Sequence, residues 1–181
     1  MNKKILAVFV FLFLAMGFST LMAAEGQEGA NVKAVPVITQ SFAAKEVKPG
    51  DTWRVYLNVS DSDGGLKNIY AVVDQLGVGQ YPVSIIRIKG QNNKELSGYI
   101  YLDTYNPYAT LEFTPLQLTV QVQDRAGRWS APAVFPLYIH SRATQEAPPQ
   151  GIFKEDDLGP VMVELHGILG GAGPGRGATI H

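Results

Sequence analysis

A strict alternation of apolar and polar side chains at residues 52–60 constrains the fold of this chain more than any other feature. Trp53, Val55, Leu57 and Val59 alternate with Thr52, Arg54, Tyr56, Asn58 and Ser60. A period of two is the pattern of a β-strand that has one face in a core and the other outside it. The alternation therefore predicts a strand over 52–60, with Trp53 packed inside the protein.

Similar short segments, rich in Val, Ile, Tyr and Thr and separated by turn residues, continue to about residue 142. Such a series is typical of an all-β sandwich or barrel. Pro36 and Pro136 fall in the first and last segments, and proline belongs at sheet edges because it cannot donate a ladder hydrogen bond. The seven predicted strands cover residues 35–42, 52–60, 66–75, 82–89, 97–103, 116–123 and 133–140.

The N-terminal region has the organisation of a secretory signal. Lys3 and Lys4 precede an apolar run at residues 5–18, and small residues, Ala23 and Ala24, follow it. The run is shorter than the 20 or so apolar residues that a membrane anchor needs, although an uncleaved anchor is the alternative. We predict a signal peptide at 1–24, a flexible leader at 25–31, and a protein exported to the periplasm or the cell exterior.

Charge and cysteine content exclude several classes of function. Removal of residues 1–24 takes away two lysines and no acidic residue, which leaves 13 basic and 16 acidic residues. Nucleic-acid binding, which calls for a clustered basic face, is therefore not predicted, and no later segment is apolar enough to span a membrane. The chain has no cysteine, so its core must form without disulfides and it has no zinc-thiolate site.

The C-terminal residues 143–181 are dominated by Gly, Pro and Ala, and predict a flexible tail. Within it, residues 161–169 are apolar and are expected to dock, either on the chain's own domain or on the sheet edge of another copy. We expect residues 145–160 and 170–181 to be disordered, and truncation after Arg142 to leave the domain at 32–142 folded.

Two motifs resemble passages of bacterial immunoglobulin-like and fibronectin-III-like surface domains. One runs from Val59 through Asp61-Ser62-Asp63-Gly64-Gly65 to Leu66, and the other is the hairpin at 120–130 around Asp124-Arg125-Ala126-Gly127. The resemblance implies an antiparallel immunoglobulin-like β-sandwich of about seven strands. It leaves the function open, because such domains serve as adhesins, spacers and substrate-binding accessory modules.

Four residues form a candidate binding surface. If Trp53 faces the core, then Tyr56 faces outward beside Arg54, and the same alternation turns Tyr99 and Tyr101 outward on a neighbouring strand. Exposed aromatic residues with a flanking arginine are typical of interface cores. The alternatives are that these tyrosines only reflect the strand propensity of tyrosine, or that the register is inverted and buries them.

The sequence also contains candidate residues for a calcium site and for a catalytic site. Asp61, Asp63 and Asp124 should lie at one end of the sandwich and could offer oxygen ligands, but their positions also suit turn formation. We predict no metal and no other cofactor. The three histidines, His140, His166 and His181, carry no hydrolase or zinc motif, so no enzyme is predicted.

The predicted function is therefore a non-enzymatic binding or structural module of the cell envelope or surface that acts through protein–protein contacts. Its partner would be another protein or a second copy, bound through a sheet edge or the tail. One alternative is a carbohydrate-binding accessory module that uses the tyrosines on a polysaccharide. The other is a periplasmic enzyme with a site assembled across loops.

Overall fold

Ten strands and no helix make up the part of the chain that the computed structural model describes, residues 34–90, 93–108 and 110–167. The chain divides into two units, Met1–Lys33 and Ala34–His181, and all described residues belong to the second. The predicted signal peptide and leader, and residues 168–181 of the predicted tail, lie outside the described residues. No helix in the described ranges is long and apolar enough to cross a membrane.

The strands form two sheets. The first has the order β1-β3-β7-β10, and the second has the order β2-β9-β8-β4, with β5 and β6 both paired to β4. The strands are β1 Val37–Ala43, β2 Glu46–Val47, β3 Thr52–Ser60, β4 Leu66–Gln75, β5 Gly79–Gln80, β6 Ser84–Arg87, β7 Glu95–Asp103, β8 Thr114–Asp124, β9 Ala133–Ile139 and β10 Asp157–Pro160.

This arrangement confirms the predicted all-β, immunoglobulin-like sandwich. The seven predicted strands correspond to β1, β3, β4, β6, β7, β8 and β9, and the pairs between them are antiparallel. Three short strands complete the ten: β2 and β10 add parallel pairs to β9 and β7, and β5 pairs antiparallel with β4. Strands of two and four residues are too short to show an alternation, so sequence reasoning missed all three.

The inner faces of the two sheets form one core. Trp53 is fully buried, as the alternation predicted, and its indole N–H donates to the carbonyl of Ala44 at 2.7 Å. Pairing of Trp53 with Leu102 aligns the inward residues of β3 and β7. The other large side chains that are fully buried include Leu57, Leu66, Ile69, Ile100, Leu118 and Ile139. A core of this extent explains how the sandwich forms without disulfides.

Neither proline removes a ladder hydrogen bond, although β9, which contains Pro136, is paired on both sides and is not an edge strand. Pro36 immediately precedes β1, and Pro136 lies in β9 opposite Gln117. The N–H groups of Tyr138 and His140 donate toward β2, to the carbonyls of Lys45 and Val47. Because the direction of N–H groups alternates along a strand, the ring nitrogen of Pro136 faces the same side, beyond the end of β2. Its missing donor therefore costs no ladder hydrogen bond.

The segment after Arg142 differs from the sequence-based expectation. Residues 143–167 pack against the sandwich, with Ala143, Val161 and Leu165 buried and β10 paired to β7. The predicted boundary at residue 142 therefore has to move, and the disorder expected for 145–160 is wrong. The physical reason is that a few backbone hydrogen bonds and buried apolar side chains offset the entropy cost of ordering a Gly- and Pro-rich segment.

Candidate functional site

The four residues of the candidate binding surface lie together on the outer face of the first sheet. Arg54 is paired with Tyr101, and Tyr56 with Tyr99, across β3 and β7. The ring centroids of Tyr56 and Tyr99 are 5.5 Å apart, and those of Tyr99 and Tyr101 are 6.5 Å apart. The Arg54 guanidinium lies 4.7 Å from the centre of the Tyr99 ring, which is a cation–π contact. We name these four residues the tyrosine surface.

The tyrosine surface is partly covered by the chain's own C-terminal segment. Phe153 packs on Tyr56 with a centroid separation of 5.6 Å. Glu155 accepts a hydrogen bond from the Tyr56 hydroxyl at 3.1 Å and forms an ion pair with Arg54 at 3.4 Å. Tyr56 is only 4% exposed, so its predicted exposure to solvent is wrong, although its side chain is on the predicted face. The prediction failed because it assumed that the segment after residue 142 leaves this face open.

Burial changes the acidity of the central phenol. It raises the pKa of Tyr56 above the ordinary value for tyrosine, and the nearby Glu155 carboxylate adds to the rise while Arg54 opposes it. A neutral phenol is the form that donates a hydrogen bond to the carboxylate. Tyr56 therefore remains a donor to Glu155 at all physiological pH values.

Backbone contacts hold the C-terminal segment on β7. The Tyr99 N–H donates to the Asp156 carbonyl at 2.9 Å, and the Val161 N–H donates to the Tyr101 carbonyl at 2.7 Å. Gly98 makes the approach possible, because a Cβ atom there would lie 2.4 Å from the Asp156 carbonyl oxygen. Gly159 has a φ of +138° and also lacks space, since a Cβ would lie 2.9 Å from Ile86.

Sequence reasoning missed a second anchor for this segment. Gln75, the last residue of β4, is fully buried and donates to the His166 carbonyl, while the Tyr81 hydroxyl donates to Gln75. The His166 N–H donates to the Tyr81 hydroxyl at 2.8 Å, and the two rings are stacked. The available signal was the period of two, because it puts Gln75 on the inner face after Ala71 and Val73, where an amide needs a partner.

Asp61, Asp63 and Asp124 lie near one end of the sandwich, as expected, and each carboxylate has at least one partner within the protein, while Asp61 Oδ2 is buried without one. Arg128 bridges two of them, at 2.6 Å from Asp63 and 2.5 Å from Asp124. Asp61 accepts the Asp63 N–H through Oδ1 at 3.2 Å, as turn-forming aspartates do. No cluster of three or more His, Cys, Asp or Glu suitable for a metal ion occurs within 34–90, 93–108 and 110–167.

Comparison with known proteins gives similarity in fold only. No family model matches the chain, and neither does any curated protein. A PKD domain of an M14-like peptidase from a Thermoplasmatales archaeon is 12% identical, with a TM-score of 0.38 over 59% of this chain and 96% of that domain. A CARDB domain from Pyrococcus furiosus, solved in complex with di-metal ions, is 9% identical, with a TM-score of 0.30 over 59% of this chain and 86% of that one.

Proposed function

We propose that this chain is a non-enzymatic, exported module of the cell envelope or surface that binds a protein partner at the β7 edge of its first sheet. The observation that carries the proposal is that this edge already holds an extended segment, β10, in parallel register. Addition of a strand to a sheet edge is a common mode of peptide recognition, in which main-chain hydrogen bonds give affinity and side-chain pockets give specificity.

The β7 edge has both elements of such a site. Main-chain bonds reach Tyr99 and Tyr101, and the Ser97 hydroxyl accepts the Lys154 N–H at 3.0 Å. The tyrosine surface supplies the side-chain contacts, because it receives an aromatic ring at Phe153 and a carboxylate at Glu155. A partner strand with an aromatic residue followed two positions later by an acidic one would fit the same contacts.

The chain's own segment is the natural competitor of that partner. Strand β10 has four residues, and such short edge elements open more readily than central strands. A partner strand, from another protein or from a second copy, would bind when this segment leaves the edge. The alternative use of the tyrosine surface on a polysaccharide is not favoured, because Phe153 covers Tyr56 while the segment is in place.

The enzyme alternative also lacks support from the described histidines. His140 follows the end of β9, and its Nε2 lies 3.2 Å from a carboxylate oxygen of the exposed Glu46 in β2. His166 stacks on Tyr81. A site for general acid–base catalysis needs a histidine that lies in a pocket together with further polar residues.

A labelled peptide with the sequence of residues 150–164 tests the proposal. We expect it to bind the Gly159→Ala chain saturably, because Ala at a φ of +138° and 2.9 Å from Ile86 weakens the resident segment but leaves the β7 edge intact. Binding to the unmodified chain should be at least tenfold weaker, since its edge is occupied. Fluorescence anisotropy measures both affinities.

The double variant Gly98→Ala/Gly159→Ala is the matched control. Its Gly98→Ala change blocks the edge itself, because the new Cβ would clash with the incoming carbonyl, so the peptide should not bind. A scrambled peptide should bind none of the chains. The proposal is contradicted if the folded Gly159→Ala chain, checked by circular dichroism, binds the native and scrambled peptides equally.

A further inference from the structure

The outer face of the second sheet carries an exposed aromatic pair that the proposed function does not use. Trp129, after β8, is 42% exposed, and its ring centroid lies 4.5 Å from that of Tyr70 on β4. Tyr70 is held in place, since its hydroxyl donates to Gln123 at 3.0 Å and accepts from the Asn68 side chain at 3.4 Å. The two rings are inclined by 53° and do not share one plane, so the exposed Trp129 indole is the face of this aromatic platform that can receive a flat ligand surface.

Next to this platform is an open cleft of about 420 Å³, and all the charged residues that line it are cations. Three cations, Lys67, Arg87 and Arg125, contribute to its walls, and no carboxylate does. The residues that line it are Lys67, Asn68, Tyr70, Ile85, Arg87, Ile88 and Arg125. Among the ion pairs of the described residues, none involves these three cations. The cleft is therefore cationic although the whole chain has a formal net charge of −1.

The strand register explains why these groups share one face. Tyr70 is paired with Ile85, and Asn68 with Arg87, across β4 and β6. Ser84 and Ile86, which alternate with them along β6, are buried, so Ile85 and Arg87 point outward. Arg125 is oriented by a hydrogen bond to the Gly90 carbonyl at 3.1 Å. Two guanidinium groups and one ammonium group thus line the cleft, and Tyr70, which also lines it, contacts Trp129 beside it.

We propose that this cleft binds a linear acidic polysaccharide, with one sugar ring packed on Trp129 beside the cleft and sugar carboxylates paired with Arg87 and Arg125. The C–H groups of a pyranose ring form a flat apolar surface that packs on an aromatic ring by dispersion. The planar guanidinium group pairs with a carboxylate through two parallel hydrogen bonds. A repeating anionic chain matches cations that are spread along one face.

An acidic peptide is the less suitable occupant. Strand β4, which forms the floor of the cleft, is paired on both sides, to β6 and β8. Its backbone groups are therefore not available to a peptide that would add as a strand, and only side chains can bind the ligand. A polyglutamate chain would satisfy the cations but would present no ring surface to the exposed indole of Trp129.

Polygalacturonate is the test probe, and tryptophan fluorescence of the full chain is the readout. The chain has two tryptophans, and Trp53 is fully buried, so emission quenched by acrylamide comes from Trp129. We expect polygalacturonate to protect Trp129 from quenching and to bind in calorimetry, with an affinity that falls as NaCl rises from 0.05 to 0.5 M. Fully methyl-esterified polygalacturonate, which keeps the rings but loses the charges, should bind at least tenfold more weakly.

Variants locate the site. Trp129→Ala and Arg87→Ala should each weaken calorimetric binding of polygalacturonate tenfold or more. Tyr138→Ala is the matched aromatic control, because Tyr138 is 39% exposed on β9 of the same sheet, and Arg142→Ala is the matched cation control. Both controls should bind as the unmodified chain does.

Three results would overturn the proposal. The first is an absence of polygalacturonate binding by the folded chain at 0.05 M NaCl. The second is binding that neither Trp129→Ala nor Arg87→Ala weakens. The third is equal binding of polyglutamate with the same sensitivity to both variants, which would make the cleft a general polyanion or acidic-peptide site. None of these results depends on the β7 edge, so they are separable from failure of the proposed function.

Discussion

At the scale of single residues, Arg128 and two aspartates hold the loops at one end of the sandwich together. Asp124 is buried, and burial alone would raise its pKa. The Arg128 N–H and guanidinium outweigh burial, so the pKa of Asp124 is lowered. A carboxyl group whose pKa is lower in the folded state contributes stability above its unfolded pKa of about 3.9, and this contribution is lost as the pH falls through the folded value.

We therefore predict that Asp124→Asn destabilises the protein at pH 7 more than at low pH. Loss of hydrogen bonds to a buried charge should cost roughly 1 to 3 kcal/mol at pH 7. As the pH falls below the unfolded pKa of about 3.9, this contribution is progressively lost, so the difference from the unmodified chain should shrink. Urea unfolding at pH 7 and pH 2.5 measures this, with the exposed Asp74→Asn as the control. Equal destabilisation at both pH values would show that the charge of Asp124 has no role.

The same residues show what could be read from the sequence at this scale. The order of strands was sufficient to predict that Asp61, Asp63 and Asp124 share one end of the sandwich. The bridging role of Arg128 was not predictable, because its partner Asp63 lies 65 positions away and charged turn residues give no periodic signal. The tyrosine surface was predictable from the alternation of residues along β3 and β7. Its cover by Phe153 and Glu155 was not predictable, because these residues are distant in sequence and belong to no alternating pattern.

At the scale of structural elements, the contact of Gln75 with Tyr81 and His166 anchors the end of the C-terminal segment. The Asn106 side chain adds a hydrogen bond to the Leu165 carbonyl at 2.6 Å. Gln75→Leu keeps a side chain of similar size but leaves the Tyr81 hydroxyl and the His166 carbonyl without this partner. We expect the local opening free energy of the segment to fall by roughly 1 to 3 kcal/mol.

Amide hydrogen exchange tests this expectation. The N–H groups of Val161 and His166, which are bonded to Tyr101 and Tyr81, should exchange faster in Gln75→Leu. The N–H of Val122 in β8, which donates to the Ser130 hydroxyl, should be much less affected. Gln117→Leu, on the exposed side of β8, is the matched control. Unchanged exchange at Val161 and His166 would mean that Gln75 does not anchor the segment.

The alternation of apolar and polar residues predicted the long strands and missed the short ones. Strands β3, β4, β7 and β8 have nine to eleven residues, and each gave a clear period of two. The sequence of β10, Asp-Leu-Gly-Pro, contains no β-branched or aromatic residue and one glycine with a positive φ. Its strand geometry comes from the β7 edge on which it lies, and a long-range partner of this kind leaves no local pattern.

At the scale of the whole molecule, the C-terminal segment joins the edges of both sheets. Strand β10 pairs with β7 of the first sheet, while the Met162 N–H donates to the Ser84 hydroxyl of β6 in the second sheet at 2.8 Å. Val161 and Leu165 enter the core between the sheets. The segment therefore closes one side of the sandwich, and the unit that folds extends through the last described residues rather than ending at residue 142.

Truncation after Arg142 should consequently destabilise the sandwich, although the sequence alone predicted little effect. Each fully buried Val or Leu side chain contributes about 1.5 to 3 kcal/mol, and the truncation removes both Val161 and Leu165 together with the cover of Tyr56. That loss is a large part of the 5–15 kcal/mol that stabilises a typical domain. Thermal unfolding followed by circular dichroism should show a fall of more than 10 °C in the melting temperature, or no cooperative transition at all. Truncation after Gly167 is the control, because it retains every contact described for the segment. An unchanged melting temperature after truncation at Arg142 would restore the boundary that the sequence suggested and make the contacts of Val161 and Leu165 energetically minor.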